Sequence, residues 1–184
     1  MKIDGNGQAK ILEADEIALL FSQGFLTSRD RALGGICLYT GCRIGEACQL
    51  PRQNIREGKI IFPKETTKGK RGTREIPIAP KLQEILGEYS SDREYLFPGR
   101  WGRGFLHPTS ADKILREAFI RSGIVGASTH SFRRTALTQM HKQGIPLGTI
   151  QRISGHDSLA ALQRYLEVSE SEIKSAVHSL NWDS

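Results

Sequence analysis

IREGKIIFPKETTKGKRGTREIPI, residues 55–78, is the stretch where the period of this chain changes. Lys59 to Phe62 follows a Glu57-Gly58 turn and reads as a strand, Arg74 to Ile78 reads as a second, and Ile55 begins a possible third. The glycine-spaced basic segment Lys68 to Gly72 joins the two clearer strands as a hairpin loop. The stretch therefore predicts a small antiparallel sheet, not a βαβ array.

On both sides of it the apolar spacing is helical. Upstream, Asp15 to Gln23 reads as a helix ended by Gly24, and a second, capped by Thr27 or Ser28, runs to about Thr40. Gly41 breaks that helix, and a short one from Arg43 to Leu50 stops at Pro51. Downstream the spacing predicts helices over Pro80 to Glu88, Ser110 to Arg121, Ser131 to Gln143, Leu147 to Ser154, Leu159 to about Tyr165, and Glu170 to Leu180. The predicted fold class is mainly α with a small antiparallel β-sheet.

The bulk numbers agree with one folded unit. The chain has 184 residues, 38% hydrophobic and 25% charged, enough to bury a core and too apolar for a disordered tail. No apolar run approaches the roughly 18 residues a membrane span needs. Met1 to Lys10 is polar and glycine-rich, unlike a signal peptide, and reads as a linker lead with one domain over residues 11–184. Lys plus Arg exceed Asp plus Glu by 26 − 20 = 6. The excess sits in the body: Lys64, Lys68, Lys70, Arg71 and Arg74 are opposed only by Glu65, whereas the tail from Glu167 onward is acidic. A polyanion would meet the body. Cys37, Cys42 and Cys48 have no Cys-x-x-Cys or nearby His pattern, so they read as buried thiols of a reducing compartment, the cytoplasm, and not as a metal site.

Five short segments could carry chemistry, and each alone has an ordinary explanation. Arg43 in TGCRIGE lies between two helices and could simply pair with Glu46. The basic hairpin can bring an ammonium to a phosphate or be a solvated loop; it lacks the P-loop spacing. His130 and Arg133 are three apart at a helix start and can address one group, while Arg134 points elsewhere, to a DNA backbone or the surface. Gly155-His156 and Tyr165 are separated by a Ser-started helix, and a tyrosine there could equally be core.

Taken in order, TGCRIGE, TTKGKRGTREIPI, THSFRRTALT and ISGHDSLAALQRYLEV resemble the catalytic domain of the tyrosine recombinase (phage integrase) family, from Thr40 to Val168. The resemblance covers all six of that family's active-site positions. It departs at Phe132 and at Ser154, where the family more often has Leu, and neither change removes a functional group. The family's N-terminal core-binding domain, which clamps the other side of the DNA, is expected to be absent, since only about ten polar residues precede the first helix.

The resemblance implies a metal-free and cofactor-free transesterification on double-stranded DNA, by a homo-oligomer that is tetrameric on its site. Tyr165 would be the nucleophile and form a 3′-phosphotyrosyl link with release of a 5′-hydroxyl. A phenol of pKa about 10 needs a base or a positive field, and His130 is the implied base. Arg43 and Arg133 would stabilise the charge that develops on the phosphate, with His156 on a phosphate oxygen. Lys68 would protonate the leaving oxygen, with Lys70 as the other candidate. Lys64, Lys70, Arg71, Arg74 and Arg134 are the expected DNA-backbone contacts. The C-terminal helix, apolar at Ile173, Val177 and Leu180, is expected to dock on a neighbouring protomer. Two other outcomes stay open: a type IB topoisomerase-like or telomere-resolving strand transferase, and a non-cutting DNA-binding protein on the same fold.

Overall fold

A computed structural model describes residues 8–66, 72–166 and 170–180 of the chain. Its elements follow the predicted order: α1 (Ala14–Leu19, continued by one wider turn over Leu20–Gly24), α2 (Ser28–Thr40), α3 (Ile44–Cys48), the strands β1 (Ile55–Arg56), β2 (Lys59–Phe62) and β3 (Arg74–Pro77), then α4 (Pro80–Gly87), α5 (Pro108–Arg121), α6 (Thr129–Lys142), α7 (Leu147–Ser154), α8 (Leu159–Gln163) and α9 (Glu170–His178). Helix α2 starts where Thr27 Oγ1 accepts a bond from the Asp30 amide at 3.1 Å. It ends at Gly41, whose φ of 61° lies in the left-handed region that glycine adopts without strain. Helix α6 begins two residues earlier than its apolar spacing suggests, because Ser131 Oγ accepts from the Ser128 amide at 3.0 Å and secures the first turn.

The sheet is a meander of order β1-β2-β3, antiparallel throughout. Ile60 pairs with Ile76 and Phe62 with Arg74. Ile60, Phe62 and Ile76 are buried, while Lys59 and Glu75 face out and pair at 3.1 Å, so the side chains alternate as a one-face-buried sheet requires. Phe62 and Arg74 are register partners at one end of the sheet. The expected tip residues of the basic hairpin, Lys68, Lys70 and Arg71, lie outside the described residues.

Two apolar clusters hold the chain together. The larger runs from Leu12 to Phe132 and takes residues from α2, α4, α5 and the sheet. The smaller consists of Leu137, Ile150 and Leu162, with Met140, Ile145, Leu147, Tyr165 and Leu166 packed on it. Helix α6 belongs to both: Phe132 lies against Phe119, ring centroids 5.2 Å apart, and Leu137 reaches the other cluster. The stretch between α4 and α5 had no legible period. Its backbone is fixed by single bridges, Pro51 to Tyr95 and Pro98 to Phe105. The three cysteines are buried free thiols, as expected. Among the described residues no helix is long and apolar enough to cross a membrane.

Candidate active site

The α2–α3 junction and the first turn of α6 meet at a cleft of about 340 Å³ bordered by Arg43, Glu46, Thr66, Thr129, His130 and Arg133. Arg43 is the residue that caps α3, so its backbone is extended and its side chain leaves the helix at the cleft edge. Its amide donates to Glu46 Oε2 at 2.7 Å, but its guanidinium stands 3.8 Å from Glu46 Oε1. The pairing that could have made Arg43 an ordinary surface residue is therefore loose. The buried carboxylate of Glu46 is taken instead by Arg74 Nη2, at 2.9 Å.

Arg74 turns inward from β3. Besides Glu46 it donates from Nη1 to the Ile153 carbonyl at 2.9 Å, and its guanidinium carbon lies 5.2 Å from the Phe62 ring centroid. Arg134 is buried, and its Nη1 donates to the Ala9 carbonyl. Both were expected as DNA-backbone contacts. In the structure their guanidiniums are engaged with the protein's own carbonyls and, for Arg74, the Glu46 carboxylate. Lys64, also expected as a DNA contact, is exposed.

Arg133 is the largest fully buried side chain, 1% exposed. One guanidinium nitrogen donates to the Gly41 carbonyl at 2.6 Å, and the other lies 3.1 Å from His156 Nε2. The turn that frees the Gly41 carbonyl is thus also a ligand of the site. Burial, and next the charge of Arg43, pull Arg133 down to a pKa of about 10, still charged at neutral pH, with Glu46 opposing the shift. A guanidinium kept charged in a desolvated pocket is a strong fixed field for an anion.

His156 follows Gly155, which ends α7 at φ 66°. A side chain there is strained by the left-handed backbone, and its Cβ, 2.7 Å from Arg74 Nη1, would push that guanidinium aside. The His156 ring is buried, with Nδ1 2.7 Å from Ser154 Oγ. Burial first, then Arg133, Arg43 and Arg74, push its pKa down to about 3, so the ring is neutral at pH 7.

Tyr165 sits in the turn after α8, its carbonyl accepting from Thr138 Oγ1 at 3.3 Å. Its ring is 4.9 Å from the His156 ring, and the Arg133 guanidinium carbon is 5.6 Å from its centroid. Tyr165 and Arg164 border a second cleft, of about 200 Å³, that shares His130 with the first. His130, exposed in the first turn of α6, therefore stands between the arginine side and the tyrosine side. Of the six expected positions, Arg43, His130, Arg133, His156 and Tyr165 come together within one chain, and Lys68 lies outside the described residues. Glu46 and Ser154 join them. The sequence had marked the first only as a pairing partner and the second only as a departure. Among the described residues no cluster of His, Cys, Asp and Glu is arranged to hold a metal ion.

The sequence profile of the phage integrase family matches residues 9–172. Tyrosine recombinase XerA of Pyrococcus furiosus is 34% identical over 161 residues, 83% of this chain and 55% of that protein. Tyrosine recombinase XerC of Rhodospirillum centenum is 30% identical over 172 residues, 85% of this chain and 50% of that protein. Among solved structures, XerA recombinase superimposes with a TM-score of 0.78 at 23% identity, over 97% of this chain and 66% of that one. XerH site-specific recombinase bound to difH substrate superimposes with a TM-score of 0.73 at 20% identity, over 99% and 57%. These two likenesses show the fold, mainly helical with its three-stranded antiparallel sheet. The chain spans about half the length of the curated relatives it matches.

Proposed function

The chain belongs to the phage integrase family, and from that premise we propose that it breaks and rejoins double-stranded DNA at specific sites through a 3′-phosphotyrosyl intermediate. The observation that carries the reading is that Arg43 and Arg133 share one cleft, that His156 lies against the Arg133 guanidinium, and that the Tyr165 ring packs on both Arg133 and His156.

In this reading the Tyr165 oxygen attacks the scissile phosphorus and its proton passes to His130. The bond from phosphorus to the 5′-oxygen breaks, and Lys68 gives that oxygen a proton. The 5′-hydroxyl of a partner strand then attacks the phosphotyrosine, the phosphorus–phenol bond breaks, and the protons return. Arg43 and Arg133 hold the non-bridging oxygens, and their attraction grows as charge develops there; losing one such donor costs about 3–4 kcal/mol of barrier. His156, kept neutral, completes the oxygen pocket. Exposed Lys64, with Lys70 and Arg71, meets the backbone of the duplex. Strand exchange needs two duplexes, so the working form is a homo-oligomer on DNA, a tetramer with the acidic tail helix docked on a neighbour. The reading carries a cytoplasmic location, which the free thiols of Cys37, Cys42 and Cys48 support.

A nicked suicide duplex carrying the crossover site tests this. The protein is expected to accumulate an SDS-resistant covalent complex, and Tyr165→Phe to form none while keeping weak, salt-sensitive DNA binding. Retention of the complex by Tyr165→Phe, or its absence from the unaltered protein, would remove the proposal.

A further inference from the structure

We propose that Ser154 is a positioning residue that fixes the proton of His156 on Nδ1, so that Nε2 faces Arg133 as a bare acceptor in the DNA-free protein. The inference rests on the reading of His156 as part of the phosphate pocket. It goes beyond that reading by assigning a role to the residue one position before the Gly155-His156 pair.

Ser154 closes α7 and is completely buried. Its hydroxyl has two neighbours, His156 Nδ1 at 2.7 Å and the Gln151 carbonyl at 3.3 Å. A hydroxyl has one proton to give. The carbonyl can only accept, so giving it that proton leaves the serine oxygen with lone pairs toward Nδ1, which must then carry the hydrogen. The other side of the ring agrees. The Arg133 guanidinium has only donors and reaches both ring nitrogens, Nε2 at 3.1 Å and Nδ1 at 3.3 Å, so with the proton on Nδ1 the acceptor left to it is Nε2. A proton on Nε2 would set two donors against each other in a buried place; a lone pair there gives Arg133 an acceptor.

The rest of the shell holds the imidazole still. Gln151 Nε2 donates to the His156 carbonyl at 3.1 Å, and the Tyr165 ring lies across the imidazole at 56°. The charged groups facing the ring are Arg133, Arg43 and Arg74, all cations, which disfavour the doubly protonated form. One neutral tautomer is thereby selected by one hydroxyl. A leucine at position 154 would have no group to select it.

The consequence is a defined order of contacts. Before DNA arrives, His156 holds Arg133. For His156 to donate to a phosphate oxygen, the ring proton must move to Nε2 and the serine hydroxyl must turn its own proton to Nδ1. Ser154 bonds to the ring in either state, accepting from Nδ1–H or donating to a bare Nδ1, while water takes the proton from Nδ1 and returns one to Nε2, so no net charge is moved.

Nitrogen-15 NMR of the DNA-free protein, labelled at histidine, reads this directly. The expected spectrum has a proton bonded to His156 Nδ1 and a lone-pair shift at Nε2. Ser154→Ala should collapse that pattern toward a mixture of the two tautomers, and Ser154→Thr should restore it. With the suicide duplex, Ser154→Ala should slow covalent complex formation about fivefold, the loss of one neutral hydrogen bond, with DNA affinity unchanged. A proton on Nε2 in the unaltered protein, or a spectrum that Ser154→Ala leaves unchanged, would overturn the inference. If Ser154→Thr is too large for its site, the wild-type and alanine spectra still decide. The tautomer is read without cleavage, so its failure and the failure of the recombinase reading are separate results.

Discussion

The two sides of the cleft are built on very unequal foundations. Arg43, Glu46 and Arg74 rise from α3 and β3, whose neighbours belong to the large cluster from Leu12 to Phe132. Tyr165 stands on the small cluster, whose buried members are Leu137, Ile150 and Leu162. Each buried aliphatic side chain contributes about 1.5–3 kcal/mol, so the second foundation is weaker by many such increments. The charged groups are also tied by internal bonds: Arg74 to Glu46 and Ile153, and Arg133 to Gly41. Tyr165 is held by its backbone and by ring contacts. The difference teaches a division of labour. The arginine side is tied in place by these bonds, as its proposed electrostatic role requires. Tyr165, the proposed nucleophile, rides on the smaller of the two clusters, where local opening is expected to cost less.

The strongest way to break this contrast is to cut the helix both sides share. Phe132→Ala should lower global stability by about 3–5 kcal/mol in urea unfolding, because the ring is fully buried against Phe119. A loss confined to α7 and α8 would mean that Phe132 does not anchor the larger cluster. Leu162→Ala sharpens the contrast from the other side, with about 2–4 kcal/mol lost locally. Amide exchange should accelerate over residues 147–166 and stay unchanged in α2. Acceleration in both would merge the two foundations into one.

The sheet and most helices were legible because their stop signals are local. Gly41, Pro51, Gly58 and Pro80 punctuate the chain wherever a residue type settles the backbone, and Lys59–Phe62 has the alternation of a strand with one buried face. The site residues were legible through their order in the chain. Their partners were not. That Arg74 points inward depends on which face of β3 meets α7, and that Arg134 is buried depends on the lead segment crossing α6 at Ala9. Both facts come from tertiary packing, to which the charge pattern is blind. Ser154 was visible as an unusual residue, yet its bond to His156 exists only because Gly155 turns the chain back.

Smaller effects test the electrostatics of the stronger side. His156 is held at about 3, below its ordinary 6.5, so between those values the unfolded chain binds a proton that the folded chain does not. Stability should therefore rise with pH through that window and fall on acidification from 6.5 toward 3, by at most about 1.4 kcal/mol per pH unit from this group. His156→Gln should flatten that part of the profile in urea midpoints measured from pH 7 to 4; an unchanged slope would mean that the ring titrates normally. The smallest effect belongs to the exposed pair Lys59 and Glu75. Lys59→Ala should cost less than about 1 kcal/mol, and less again in high salt. A larger loss would show that the outer face of the sheet shares the rigidity of the inner one.

Everything turns on which oxygen becomes bonded to DNA. The suicide-substrate complex, trimmed with nuclease and cleaved with trypsin, can be read by mass spectrometry. The nucleotide mass should fall on the peptide that begins at Tyr165 and ends at Lys174. Its appearance on a peptide carrying Tyr39, Tyr89 or Tyr95, or on a serine, would contradict a cleft built to activate the Tyr165 phenol.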